Sequence, residues 1–93
     1  ADDSPEPGEN DAGAMILSLW DGAQRNALRI DLWVKEMSVD DMNDFFFQTF
    51  ISMADTYRKA TNDAGLASEI KLFARDFAEK ASRAAQAGGA QKA

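Results

Sequence analysis

Asp40, Asp41 and Asp44 spell D-D-x-x-D, a spacing that prenyl-transferring enzymes use to hold magnesium on a diphosphate. Hard magnesium favours carboxylate oxygens. Such enzymes set a second acidic cluster across a large helical cavity, which roughly seventy foldable residues cannot build. The triplet also follows Ser38, where acids in a first helical turn oppose the positive end of the helix dipole. A helix start therefore explains the acids without a metal, and a magnesium-dependent enzyme is the least favoured reading. Paired-carboxylate catalysis needs two acids facing across a cleft, one with its pKa raised by an apolar pocket. Asp21 and Asp31 are the only pair in the predicted hairpin, and a turn or cross-strand role suits them better. The chain has no histidine and no cysteine, which removes imidazole acid–base chemistry, thiol nucleophiles, Cys/His zinc sites and disulfides. No catalytic, cofactor-binding or metal-binding residue is assigned, and no enzymatic activity or cofactor is expected.

A second constellation points to binding. Trp33 stands on the charged side of its predicted strand, between Asp31 and Lys35, where the main core does not need an aromatic. Trp and Arg are enriched at protein interfaces. Trp20, Arg29, Asp31 and Trp33 thus form the expected partner-binding surface, set against the plainer account that an additional strand or helix covers the tryptophans. Phe45, Phe47 and Ile51 lie off the main stripe of the first predicted helix; a widened core stripe is the plainer account, and an exposed patch marking an interaction site is the alternative.

The elements that must position these residues follow from periodicity. Ala14 to Asp21 and Leu28 to Lys35 are apolar runs separated by turn-forming Asp21, Gly22 and Asn26, which predicts a β-hairpin with a loop of five or six residues. Leu28, Ile30, Leu32 and Val34 alternate with Arg29, Asp31, Trp33 and Lys35, the period of a strand with one dry face. The first run is apolar on both sides around Ser18 and reads as a central strand. A lone hairpin is barely stable. The missing neighbour is expected from sequence upstream of Ala1 or from a second copy, as a homodimer through the unfilled sheet edge. Ser38 with Asp41 three residues on predicts a capping box and a helix from Val39 to about Thr61. Its apolar stripe is Val39, Met42, Phe46, Phe50, Met53, Tyr57 and Ala60. TNDAG breaks the chain, and Leu66, Ile70, Phe73, Phe77, Ala81 and Ala84 mark a second helical stripe. Asp76 with Lys80 and Glu79 with Arg83 are i,i+4 pairs.

Ninety-three residues hold one domain at most, and the composition, 45% apolar and 28% charged, is that of a soluble globular protein. Ten bases against sixteen acids give a net charge of -6. Five of those acids and no base fall in residues 1–14, leaving eleven acids against ten bases in the remainder. Residues 1–14 read as an acidic flexible leader, 15–84 as a single α+β domain and 85–93 as a flexible tail. The acidity argues against a nucleic-acid partner. No apolar run is long enough to span a bilayer and no signal peptide is evident, so no membrane insertion and a cytoplasmic location are expected.

LWD at 19–21, LRIDLWVK at 28–35, MSVDDMNDFF at 37–46 and MADTYRKATN at 53–62 are similar to strings of the gliding-motility-associated protein C (GldC) family of Bacteroidetes. The resemblance runs from Met15 to about Lys80. It implies a small soluble protein associated with gliding motility, without an enzymatic activity or a cofactor. It also implies strand-forming sequence ahead of the acidic stretch, a pattern from which this chain departs by starting at ADDSPEPG.

The expected fold is a two-layer α+β domain in which an antiparallel β-hairpin, part of a larger sheet, packs against two antiparallel helices. The expected function is a non-catalytic, accessory protein-interaction role in gliding motility, with a protein partner from the gliding machinery. The runner-up is a small-ligand-binding module with a pocket between hairpin and helices, lined by Trp20, Phe46 and Phe50.

Overall fold

The computed structural model of the chain describes residues 11–87. It contains two strands followed by two helices: β1 (Ala14–Asp21), β2 (Asn26–Trp33), α1 (Val39–Thr61) and α2 (Ala64–Ala87). The α+β class is as expected. The chain divides into two compact units between Met37 and Ser38.

In the first unit β1 and β2 form an antiparallel ribbon, with Ala14 opposite Trp33 and Asp21 opposite Asn26. Among the described residues the sheet has these two strands. The connection is shorter than expected, Gly22–Arg25, because Asp21 organises it. Its Oδ1 accepts hydrogen bonds from the N–H groups of Ala23 (3.0 Å) and Gln24 (3.1 Å), and its carbonyl accepts from Arg25 N–H at 2.7 Å. Arg25 takes a left-handed conformation, φ 57°, which lets the chain reverse and starts β2 at Asn26 rather than Leu28. At the far end Val34 N–H still donates to the Gly13 carbonyl at 2.9 Å, and a turn follows in which Met37 N–H donates to the Val34 carbonyl.

The second unit is a helical hairpin. At the start of α1 the predicted capping box is present: Asp41 N–H donates to Ser38 Oγ at 3.0 Å, and Ser38 N–H donates to Asp41 Oδ2 at 3.3 Å. The helix ends at Asn62, which is left-handed (φ 59°) and donates its N–H to the Arg58 carbonyl at 2.7 Å. Asp63 then caps α2 by accepting Leu66 N–H on Oδ1 at 2.9 Å. One αL residue and one cap thus accomplish the break in TNDAG, and Ala64 and Gly65 belong to the first turn of α2.

A link of two residues turns the helices antiparallel, and their contacts run in opposite directions along the two axes. Phe50 meets Phe77 and Phe73, while Asp55, further along α1, meets Lys71, earlier in α2. The seam between them is built from alanine. Ala54 and Ala74 are 0% exposed and Ala67 is 3% exposed, the most deeply buried apolar residues described. Having no side chain beyond Cβ, they let the backbones approach and leave larger residues to flank the seam. One flank is aromatic: Phe50 packs edge-on against Phe46, Phe73 and Phe77, with centroids 5.4 to 5.9 Å apart. Helix α2 continues through Ala87, into the segment expected as a tail from residue 85. The expected leader residues 1–10 and tail residues 88–93 lie outside the described residues.

Candidate functional site

The β1–β2 register sorts the hairpin side chains into two faces of opposite character. Met15 opposite Leu32, Leu17 opposite Ile30 and Leu19 opposite Leu28 make one wholly apolar face, each residue 42–59% exposed. The other face holds Ala14 opposite Trp33, Ile16 opposite Asp31, Ser18 opposite Arg29 and Trp20 opposite Ala27. All four predicted partner-binding residues, Trp20, Arg29, Asp31 and Trp33, therefore share that face.

Their geometry is specific. Arg29 Nη2 donates to Asp31 Oδ2 at 2.9 Å, an ion pair between residues two apart on one strand, with side chains 52% and 39% exposed. Such a pair contributes little to stability in water. It does hold the guanidinium along the strand at the middle of the face, with donors left for a ligand. Trp33 (63% exposed) and Trp20 (61% exposed) stand at opposite ends. Six residues of strand separate their register positions, about 20 Å. A single protomer cannot bring both rings into one pocket; it offers two aromatic anchors flanking a charged pair. Arg25 in the turn lies over the Trp20 ring, 5.7 Å from its centroid. Periodicity gave no signal for this contact, because it depends on the left-handed conformation at Arg25.

The acidic constellations take structural roles. Asp21 is the organiser of the turn, whereas Asp31 is paired with Arg29. They lie on opposite faces of the ribbon and five residues apart in register, so they do not face each other across a cleft. Asp41 closes the capping box. Asp40 and Asp44 line an open groove of about 410 Å³ with Asn43, Phe47, Ala78, Ala81, Ser82 and Ala85. No group of three or more His, Cys, Asp or Glu side chains suited to a metal ion occurs among the described residues. Of the residues expected to line a ligand pocket, Phe46 and Phe50 belong to the aromatic cluster of the helical hairpin, and Trp20 belongs to the other compact unit.

One electrostatic pair went unread in the sequence. Asp55 sits on the polar stripe of α1, where periodicity assigned it to solvent, yet Lys71 Nζ of α2 lies 3.0 Å from its Oδ1. The Lys71 hydrogen bond, and then the Lys71 charge, hold the Asp55 carboxyl below its ordinary value. Asp76–Lys80 and Glu79–Arg83 are formed within α2 at 3.0 and 3.2 Å, as their spacing predicted.

No described helix is long and apolar enough to cross a membrane. No curated protein and no solved structure matches the chain. Residues 1–83 match the family model described as gliding motility-associated protein GldC-like. That span takes in the hairpin with its tryptophan face, the capping box and nearly all of α2, and the chain belongs to the GldC-like family of gliding motility-associated proteins.

Proposed function

We propose that the chain is a non-catalytic accessory protein of the gliding machinery, which binds a protein partner through the hairpin face carrying Trp20, Arg29, Asp31 and Trp33. The observation that carries the reading is the exposure of both tryptophans, 61% and 63%, on the face that also carries the Arg29–Asp31 pair. Large aromatic rings left in water at the ends of a short ribbon are an unfavourable surface unless something covers them. Trp and Arg are the residue types that dominate interface energetics. A non-catalytic role is further supported by the lack of histidine and cysteine, and by the local structural use of Asp21, Asp31 and Asp41.

The test is co-purification from the native organism with a tagged chain, in parallel with Trp33→Ala and Arg29→Ala. Loss of a specific co-purifying protein in both variants, with unchanged far-UV circular dichroism, is the expected result. A partner set identical to that of the unaltered chain would refute the assignment of this face.

A further inference from the structure

Arg25 is poorly suited to its place in the turn. Its φ of 57° lies in the left-handed region, where glycine and asparagine are at ease and a long side chain is not. The turn opens with Gly22 and is followed by Asn26, yet the left-handed position itself is an arginine. Backbone strain kept where an easier residue type would serve points to a use for the side chain. That side chain lies over the Trp20 ring, 5.7 Å from its centroid, which brings its guanidinium to the face carrying Trp20, Arg29, Asp31 and Trp33.

The register brackets Trp20 between two guanidiniums. Arg25 comes from the turn beyond it, and Arg29 stands opposite Ser18, two residues before it, a strand distance of about 7 Å. Ser18 is exposed and adds a hydroxyl at that position. Asp31 takes a single Nη2 bond from Arg29 and leaves the other N–H groups of that guanidinium for a ligand. Arg25 has no ion-pair partner among the described residues. Stacking on a ring uses the flat side of a guanidinium and leaves its donor edge open. Asp21, the acid of the turn itself, is on the other face, with its carboxylate bonded to the N–H groups of Ala23 and Gln24. The face thus carries two bases against one acid, Asp31, in a chain whose net charge is -6.

We infer that the turn end of this face binds a carboxylate on an acidic segment of the protein partner, held by Arg25 and Arg29 with the Trp20 ring between them. The inference rests on the proposed function of the face and names the chemistry of what it binds. The two oxygens of a carboxylate match the planar fork of a guanidinium, and the short aliphatic stem of a glutamate or aspartate packs on an aromatic ring. A nucleic acid, charged along its whole length, meets the negative field of the chain, whereas a short acidic segment engages its charge at this one positive end. Trp33, about 20 Å away, anchors the same segment about six extended residues further on. A strand paired to the outer edge of β1 would lie beside this face and not over it, so the site is independent of what flanks β1.

The probe is a capped peptide of about six residues, matched to that span, with two glutamates among leucines. It is compared with the same peptide carrying glutamines or lysines in their place, and binding is read from the tryptophan fluorescence of the full chain. The glutamate peptide is expected to bind about fivefold more tightly than the glutamine peptide and the lysine peptide to bind most weakly, with the preference fading in high salt. Arg25→Asn removes the guanidinium but keeps a residue type suited to the left-handed turn, so it should reduce the preference for glutamate at least about twofold with circular dichroism retained. Arg25→Lys, which keeps the charge and loses the fork, should fall between the two. Equal binding of the glutamate and glutamine peptides, no binding of the glutamate peptide at millimolar concentration, an undiminished preference in both Arg25 variants, or tighter binding of a single-stranded oligonucleotide would each overturn the inference. If Trp33→Ala and Arg29→Ala still lose the co-purifying protein under any of these results, the surface reading stands and the carboxylate site alone falls.

Discussion

Replacing Phe50 with alanine removes the ring at the centre of the aromatic flank of the helical hairpin. Phe50 is half-buried and meets three rings, with centroids 5.9 Å from Phe46 and 5.4 Å from both Phe73 and Phe77. A fully buried Phe→Ala change costs about 3–5 kcal/mol, and each well-oriented aromatic pair accounts for about 0.5–1.5 kcal/mol beyond area. Partial exposure lowers the first figure, and the three edge-on contacts keep the total near 3 kcal/mol. Phe73 is 56% exposed and touches two rings, those of Phe50 and Phe77, so Phe73→Ala should cost about 1 kcal/mol. The assay is urea unfolding followed by far-UV circular dichroism, which reports the helices. Both tryptophans lie in the hairpin, so their fluorescence follows the other unit independently. With a denaturant slope of about 1 kcal/mol per molar, the Phe50→Ala midpoint should fall by about 3 M, and the Phe73→Ala midpoint by about 1 M. Equal losses at the two positions would refute the reasoning, because they would mean that Phe73 is as deeply packed in solution as Phe50. A Phe50→Ala loss below about 0.5 kcal/mol, the range of neutral surface changes, would refute it from the other side.

Ser38→Ala removes the Oγ that accepts Asp41 N–H and should cost about 1 kcal/mol of helix stability, with Ser38→Thr recovering most of it, as read by the same unfolding curves. The Asp55–Lys71 pair gives a pH signature whose sign is fixed by the depressed Asp55 pKa. The stabilisation is fully present above the ordinary carboxyl value of 3.8 and is lost as pH falls through the lower folded value. Asp55→Asn should therefore be less stable than the unaltered chain at neutral pH, with the gap closing under strong acid and narrowing in high salt; a gap independent of pH would contradict the assignment.

Local signals in the sequence placed the elements well where one residue type has one physical use. Ser38 with Asp41 marked the start of α1 to the residue, because a hydroxyl and a carboxylate three apart satisfy two backbone donors that nothing else nearby satisfies. The turn was misjudged in length for the complementary reason. Asn26 is a frequent turn residue, but Asp21 and Arg25 already close the reversal, and Asn26 is drawn into the ladder opposite Asp21. Contacts between elements were legible only where a stripe announced them. Phe46, Phe50, Phe73 and Phe77 share predicted stripes and do meet, whereas Lys71 reaches Asp55 from a position that helical periodicity leaves in solvent.

The same distinction bears on the hairpin site. A period of two determines which side chains share a face, so Arg29, Asp31 and Trp33 could be grouped from β2 alone. Adding Trp20 required the register across the turn. That register depends on loop length: a loop of five or six residues starting after Asp21 would slide β2 by one or two positions. A shift by one would place Trp20 on the face opposite Trp33, and a shift by two would keep them together. The four-residue turn held by Asp21 decides the matter, pairing Trp20 with Ala27 and Ala14 with Trp33. The aspartate that looked like half of a catalytic pair thus acts on the site from a distance: its carboxylate sets the turn, the turn sets the register, and the register puts both tryptophans on the face that carries the Arg29–Asp31 pair.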